Sequence, residues 1–413
     1  MKINNENGVK GIFLVIFCIS IFLFTRSNGY NILPFSNNIM LYLYSVIGSI
    51  VILYLSTSRI KLKAIDILCL VYFIYNLLWL LVTSKTKNIE TIYLFFFLAM
   101  LYINIRNISS IYYKYILYSF PFIVISHFIY YICWENPYYF LYEHKGVFTG
   151  FLHNSGLWGE FVAMTLICNI GLIHLNKKSK KTSTLLIFVS FIVSFMLYES
   201  DSRASWLSFA IGILTFFSPL IIKHLPKSII IRTGSLLILI CLCTYLISGL
   251  YSYKKDSADG RILIWKISLE MVKDKPILGY GFDGFRKNYM NYQAAYLQEK
   301  QLPETINNLA DDNHHAFNEF LRIIIEQGII GVIILFIFLT TIGYTIYKYK
   351  LYIDTVSRTI ISCLTALLFF SFFSSVQTIP TGLLTASSTI SFFCRTSFLP
   401  THTLKILQYG SYK

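Results

Sequence analysis

The run IIGVIILFIFLTTIGYTIY, residues Ile329–Tyr347, decides the fold. It carries no charged side chain, and a helix crossing a bilayer needs roughly 17–25 largely apolar residues. Charge-free stretches of the same kind recur at Gly11–Thr25, Ser27–Ser58, Ile67–Ser84, Thr91–Ile105, Tyr115–Trp134, Thr182–Tyr198, Ala204–Ile222, Thr233–Tyr253 and Thr359–Cys394. With Phe161–Leu175 added, about eleven spans are expected, and a twelfth near Leu383–Leu399. These runs lack strict alternation of apolar and polar residues, which favours helices over β-barrel strands. The fold class is therefore an all-α integral membrane protein with about 11–12 transmembrane helices. Composition agrees: 55% of residues are hydrophobic and 13% charged, against about 25% charged in a soluble domain. The first apolar run reads as a spanning helix, not a signal peptide, because no small-residue cleavage pattern follows it.

The formal net charge is +15. Read loop by loop, that excess gives an orientation and not a nucleic-acid surface. Lysine and arginine fall in alternate loops: Lys2 and Lys10; Arg59, Lys61 and Lys63; Arg106 and Lys114; Lys177, Lys178, Lys180 and Lys181; Lys223, Lys227 and Arg232; Lys348, Lys350 and Arg358. The intervening short loops hold only Arg26, Lys85, Lys87, Lys145 and Arg203. The N-terminus is expected in the cytoplasm, and the long segment Tyr251–Asn318 on the outer face. The chain divides into spans in 1–250, that loop in 251–318, and the last spans with a tail in 319–413, as one membrane domain. Eight cysteines are scattered through apolar runs without CxxC or zinc-site spacing, so they read as packing residues.

The long loop has helical character. Ile262, Trp265, Leu269 and Val272 share one helical face within Gly260–Lys273. Asp259 reads as the N-cap, Pro276 as the stop and Gly279-Tyr280-Gly281 as a turn. A second helix is expected from Asp283 to about Gln298. The loop closes on Asp312-Asn313-His314-His315-Ala316-Phe317-Asn318-Glu319-Phe320-Leu321, ionisable residues at the start of a spanning helix. Such groups are costly at a membrane edge and mark a site.

Arg203, Arg261 and Arg286 map to the same face as this cluster. A planar guanidinium donates paired, charge-assisted hydrogen bonds to phosphate, so converging arginines suit a lipid pyrophosphate. Asp201 is placed to hold Arg203. His315 or His314, with an ordinary pKa of about 6.5, suits a base that takes a proton from a sugar hydroxyl. His153 and Asn154, with Glu160 beyond them, form a second candidate binding patch, and Asn318 and Glu319 join the first. A metal site at Asp311, Asp312 and the histidines is disfavoured because the spacing matches no standard ligand set. No metal or cofactor is expected.

Four stretches resemble the O-antigen ligase/polymerase superfamily of bacterial membrane glycosyltransferases. They are Gly150-Phe151-Leu152-His153-Asn154; Asp201-Ser202-Arg203-Ala204-Ser205-Trp206-Leu207; Gly260-Arg261-Ile262-Leu263-Ile264-Trp265 through Pro276-Ile277-Leu278-Gly279-Tyr280-Gly281; and His315-Ala316-Phe317-Asn318-Glu319-Phe320-Leu321 through Glu326-Gln327-Gly328-Ile329-Ile330-Gly331. The resemblance implies a glycosyltransferase-C-like fold in the bacterial inner membrane with a periplasmic site. It implies a glycan donor on undecaprenyl pyrophosphate and an acceptor that is another glycan or lipid A core. The lipid bilayer and polysaccharide-assembly proteins are the implied partners, with no nucleic acid. Arg203 and Arg261 would hold the pyrophosphate, and the histidine would activate the acceptor hydroxyl. Many members carry a histidine directly before the asparagine of the last motif. Here that place is Phe317, and His315 lies three residues before Asn318. Repeat-unit polymerisation is the favoured reading, with ligation to lipid A core as the alternative. A flippase is the competing class, but it is expected to carry charges within its spans, whereas here they gather in one loop.

Overall fold

The computed structural model describes residues 64–83, 113–130, 132–133, 148–150, 154–224, 248–300 and 315–374, with a few single positions between them. Among these residues the regular structure is helical, with no strand. The helices are α1 (Ala64–Thr83), α2 (Tyr113–Tyr130), α3 (Ser155–Leu175), α4 (Lys180–Glu199), α5 (Arg203–Lys223), α6 (Lys255–Asp274), α7 (Gly284–Lys300), α8 (Glu319–Lys348) and α9 (Thr355–Phe370). Five of the described helices are long and apolar enough to cross a membrane: α1 from Asp66, α3, α4, α5 and α8. The chain is an all-α integral membrane protein. The spans expected before residue 64, near Thr91–Ile105 and near Leu383–Leu399 lie outside the described residues.

α3 is the axis of the bundle. It packs against α2, α4, α5 and α9, and α5 packs closely on α9. Trp158, Val162, Ile167 and Leu172 of α3 are buried with Val124, Val193, Ala366 and Phe370 from its neighbours. Lipid is as apolar as these side chains, so close packing and small residues hold spanning helices together, not escape from water. Cys168 and Cys363 serve that packing, with their sulfurs 3.6 Å apart between α3 and α9. The charge-free stretch Thr359–Cys394 does not run on as one helix: α9 stops at Phe370, and residues 371–374 turn away.

A second core lies outside the bundle. Leu263, Ile264, Ile267 and Met271 of α6 pack on Phe285 and Tyr289 of α7 and on Ile325 of α8. Here each fully buried side chain contributes about 1.5–3 kcal/mol. This corrects the expected face of α6. Ile262 and Leu269 are exposed, Trp265 and Val272 are half-buried at the margin of the core, and the fully buried stripe lies on the far side of the helix from the expected one. Both stripes have helical spacing, and only the position of α7 selects between them. α6 also starts one turn earlier than expected, at Lys255, so Asp259 lies inside the helix and Lys254 occupies the N-cap position.

α8 is two helical segments joined at a break. Gly328 has φ 64 and ψ −164, outside helical geometry. A break frees backbone groups that must find partners inside a membrane protein. The turn at residues 276–281 supplies them: Tyr280 N–H donates to Ile325 O at 2.8 Å, and Gly281 N–H to Glu326 O at 2.9 Å. Ile329 N–H donates to Pro276 O at 2.9 Å. α1 completes the set, with Trp79 Nε1 donating to Glu326 O at 3.0 Å and the Tyr75 hydroxyl to Gln327 O at 3.2 Å. The approach is so close that a Cβ on Gly328 would lie 2.0 Å from Ile277 O, and one on Gly279 2.5 Å from Ile325 O.

Candidate active site

Four chain segments meet at the end of the bundle where α3, α5 and α8 begin. Ser202 caps α5, and Arg203 is its first residue. The Arg203 guanidinium donates to Leu250 O at 2.7 Å. Asp201 does not hold it as expected. In its left-handed turn (φ 48), Asp201 pairs with Lys254 and accepts from the Tyr253 hydroxyl at 3.1 Å.

Arg261, on α6, donates from one guanidinium nitrogen to Phe373 O at 2.8 Å. The group lies 5.1 Å over the Phe317 ring. Burial pulls its pKa below the ordinary arginine value, and the nearby positive charge of Arg203 lowers it further. Among the described residues, no carboxylate pairs with either arginine. The charge of Asp201 reaches Arg203, but neither guanidinium is ion-paired, and two neighbouring guanidiniums with spare N–H donors make a patch complementary to an anion.

His315 is exposed beside this pair. Its ring meets Phe317 edge-on at 6.3 Å, so one phenyl ring contacts both the histidine and Arg261. Phe317 has φ 48, an uncommon conformation for a bulky side chain. Its neighbours hold it there. Trp265 Nε1 donates to Ala316 O at 3.0 Å, and Asn318 caps α8 by accepting from Leu321 N–H at 2.9 Å. Glu319 N–H donates to Ser371 O at 2.8 Å, and its carboxylate accepts from Arg322 at 2.8 Å. Arg322 reaches back one turn to Glu319 and forward to Glu326, also at 2.8 Å. This buried acid–base–acid ladder lies between the His315 turn and the break in α8.

Asn154 caps α3 and accepts from Leu157 N–H at 3.1 Å. It stands close to Ser374 across Gly156, while the Ser205 hydroxyl ties Gly156 O to α5 at 3.0 Å. Glu160 is buried below, accepting from the Ser208 hydroxyl. Arg286 is exposed on α7 and bonds to neither of the other arginines. His153, His314, Asp311 and Asp312 lie outside the described residues.

Two features were missed in the sequence. Residues 371–374, past the end of α9, form the junction of the site. Their backbone carbonyls hold Arg261 and Glu319, and carbonyls have no sequence signature. Arg322 did have one: a basic residue with carboxylates at i−3 and i+4 near the start of a spanning helix.

Residues 188–336 match the family model described as O-antigen ligase. That segment contains α5, α6, α7 and the first part of α8, with Arg203, Arg261, Trp265, His315, Phe317, Arg322 and the break. Over that segment, about a third of the chain, the protein is similar to the O-antigen ligase family. Relatives point the same way. A provisionally named polysaccharide ligase of Rickettsia conorii is 34% identical over 175 residues, 40% of this chain and 40% of its own length. One from Rickettsia typhi is 32% identical over 193 residues, 45% of this chain and 44% of its own length. An uncharacterised Haemophilus influenzae protein is 28% identical over 42% of this chain and 46% of its own. The chain thus spans under half the length of the curated relatives it matches.

Proposed function

We propose that this protein is a membrane glycosyltransferase that moves a glycan from undecaprenyl pyrophosphate to a sugar hydroxyl, in surface-polysaccharide synthesis. The observation that carries the reading is the Arg203–Arg261 pair, neither member of it ion-paired among the described residues, with Phe317 linking Arg261 to His315.

Arg203 and Arg261 bind the donor pyrophosphate. His315 accepts the proton from the acceptor hydroxyl as the oxygen attacks the anomeric carbon. The bond from that carbon to the phosphate oxygen breaks, and the lipid pyrophosphate leaves with its added charge held by the guanidiniums. Those two cations supply the electrophilic assistance, so no metal takes part and transfer persists in EDTA. Asn318 and Glu319 set the start of α8 behind the histidine turn, and Asn154 borders the same junction. On the charge pattern, the site faces the periplasm from the inner membrane.

Polymerisation of repeat units is the favoured form. Ligation of a finished glycan to lipid A core or another acceptor is the second reading, supported by the ligase descriptions of the matched family and relatives. A deletion strain with its surface polysaccharide resolved on a gel tests all of this. Single-repeat product identifies a polymerase. Unmodified core with accumulated lipid-linked polymer identifies a ligase. Accumulation of lipid-linked intermediate on the cytoplasmic side overturns the transferase reading in favour of a flippase.

A further inference from the structure

A second arginine–phenylalanine–histidine cluster lies at the other end of the bundle. Arg358, one turn into α9, holds its guanidinium 4.7 Å over the ring of Phe216 on α5. His174, in the last turn of α3, meets the same ring edge-on at 5.8 Å. Phe216 is buried, so the ring is a fixed platform shared by three helices. The positive charges of Lys177 and Arg358 both act on His174. At 1.5 Å per residue, Phe216 lies about 20 Å along α5 from Arg203, in a bilayer whose hydrocarbon layer is about 30 Å thick.

Arg358 lacks partners for its charge. Its one side-chain bond is a long contact to the Thr355 hydroxyl at 3.5 Å, and its Nε is buried without a partner. Asp354 is close enough for its charge to be felt, but its Oδ2 already accepts from the Ser357 N–H and hydroxyl at 2.8 Å each. Among the described residues, Arg358 forms no ion pair. A half-buried guanidinium without an ion pair is costly. Its fork, stacked over the phenyl ring with the His174 imidazole at the ring edge and the charge of Lys177 felt at that imidazole, suits a phosphate group in geometry and charge.

We propose that Arg358, His174 and Lys177 form a binding site for a phosphate oxyanion, separate from the candidate active site. The source is the headgroup of an anionic membrane lipid or free phosphate. Bound there, the anion neutralises Arg358 and ties the ends of α3, α5 and α9 together.

The test uses the full chain, purified in detergent and stripped of lipid, with its unfolding midpoint measured against three additives. Phosphatidylglycerol is expected to raise the midpoint by about 5 °C near saturation, and phosphatidylcholine to leave it in place. Arg358→Gln should abolish the rise, whereas Lys180→Gln, an exposed lysine on α4, should retain it. A rise with inorganic phosphate alone, lost in Arg358→Gln, assigns the same site to a free anion. An equal rise with phosphatidylcholine, an undiminished rise in Arg358→Gln, or no rise with either phosphate source overturns the proposal. Should Arg358→Gln fail to fold, the double variant His174→Asn/Lys177→Gln replaces it. That variant should lose at least half of the shift, and an unchanged shift overturns the proposal.

Discussion

Phe317 occupies the position where the family resemblance leads one to expect a histidine, yet its backbone and ring are committed to another task. The ring is the floor under Arg261 and the wall beside His315, so a phenyl group that cannot take a proton still shapes the site. Phe317→Gly separates ring from backbone, because glycine accepts φ 48 without strain. Loss of a cation–π contact worth about 0.5–2 kcal/mol predicts a roughly 3- to 30-fold fall in transfer rate per folded molecule, together with a lower unfolding temperature, because the ring also packs on the second core. The assay is glycan transfer from a lipid-linked donor by purified protein. In the same assay Arg261→Lys keeps the charge but loses the fork, and activity should fall by about 100-fold or more. His315→Ala should abolish transfer while leaving insertion intact. Transfer at the normal rate would remove His315 as the base and leave His314 to be tested. The sequence showed the arginines and the histidine as separate candidates. It did not show that one phenyl ring joins them, since Phe317 and Arg261 stand far apart in the chain.

The broken helix α8 connects α6 and α7 to the bundle. Its freed carbonyls and N–H groups bond to the 276–281 turn and to α1, so two glycine-containing motifs far apart in sequence pair as one backbone joint. Gly328→Ala would force a side chain into φ 64 and against Ile277 O. The expected cost is about 3 kcal/mol or more, read as a fall in unfolding temperature and in folded protein recovered by size-exclusion chromatography. Arg322→Met would leave Glu319 and Glu326 buried without their shared cation. Breaking such a pair costs about 3–5 kcal/mol, and the same unfolding measurement should show it. Gly328 was legible as a residue of the last motif. Its break was not, because the hydrophobic run continues through it without a change in pattern.

The arrangement of the whole molecule predicts opposite exposure for its two polar ends. With native cysteines replaced, Gln298→Cys on α7 should react with a membrane-impermeant thiol reagent from outside the cell, and Lys181→Cys on α4 only after the membrane is opened. Labelling of both from the same side would refute the orientation read from the loop charges. Run length and composition were enough to establish a helical membrane protein, because water and lipid sort whole segments by average polarity whatever packs beside them. Tertiary structure alone decided which face of α6 is buried and that Asp201 serves Lys254 instead of Arg203. It also decided that α9 ends at Phe370 and that backbone carbonyls beyond it hold the site together. Helical periodicity fits more than one face, and every residue has a carbonyl; only the approach of distant segments determines which groups become partners.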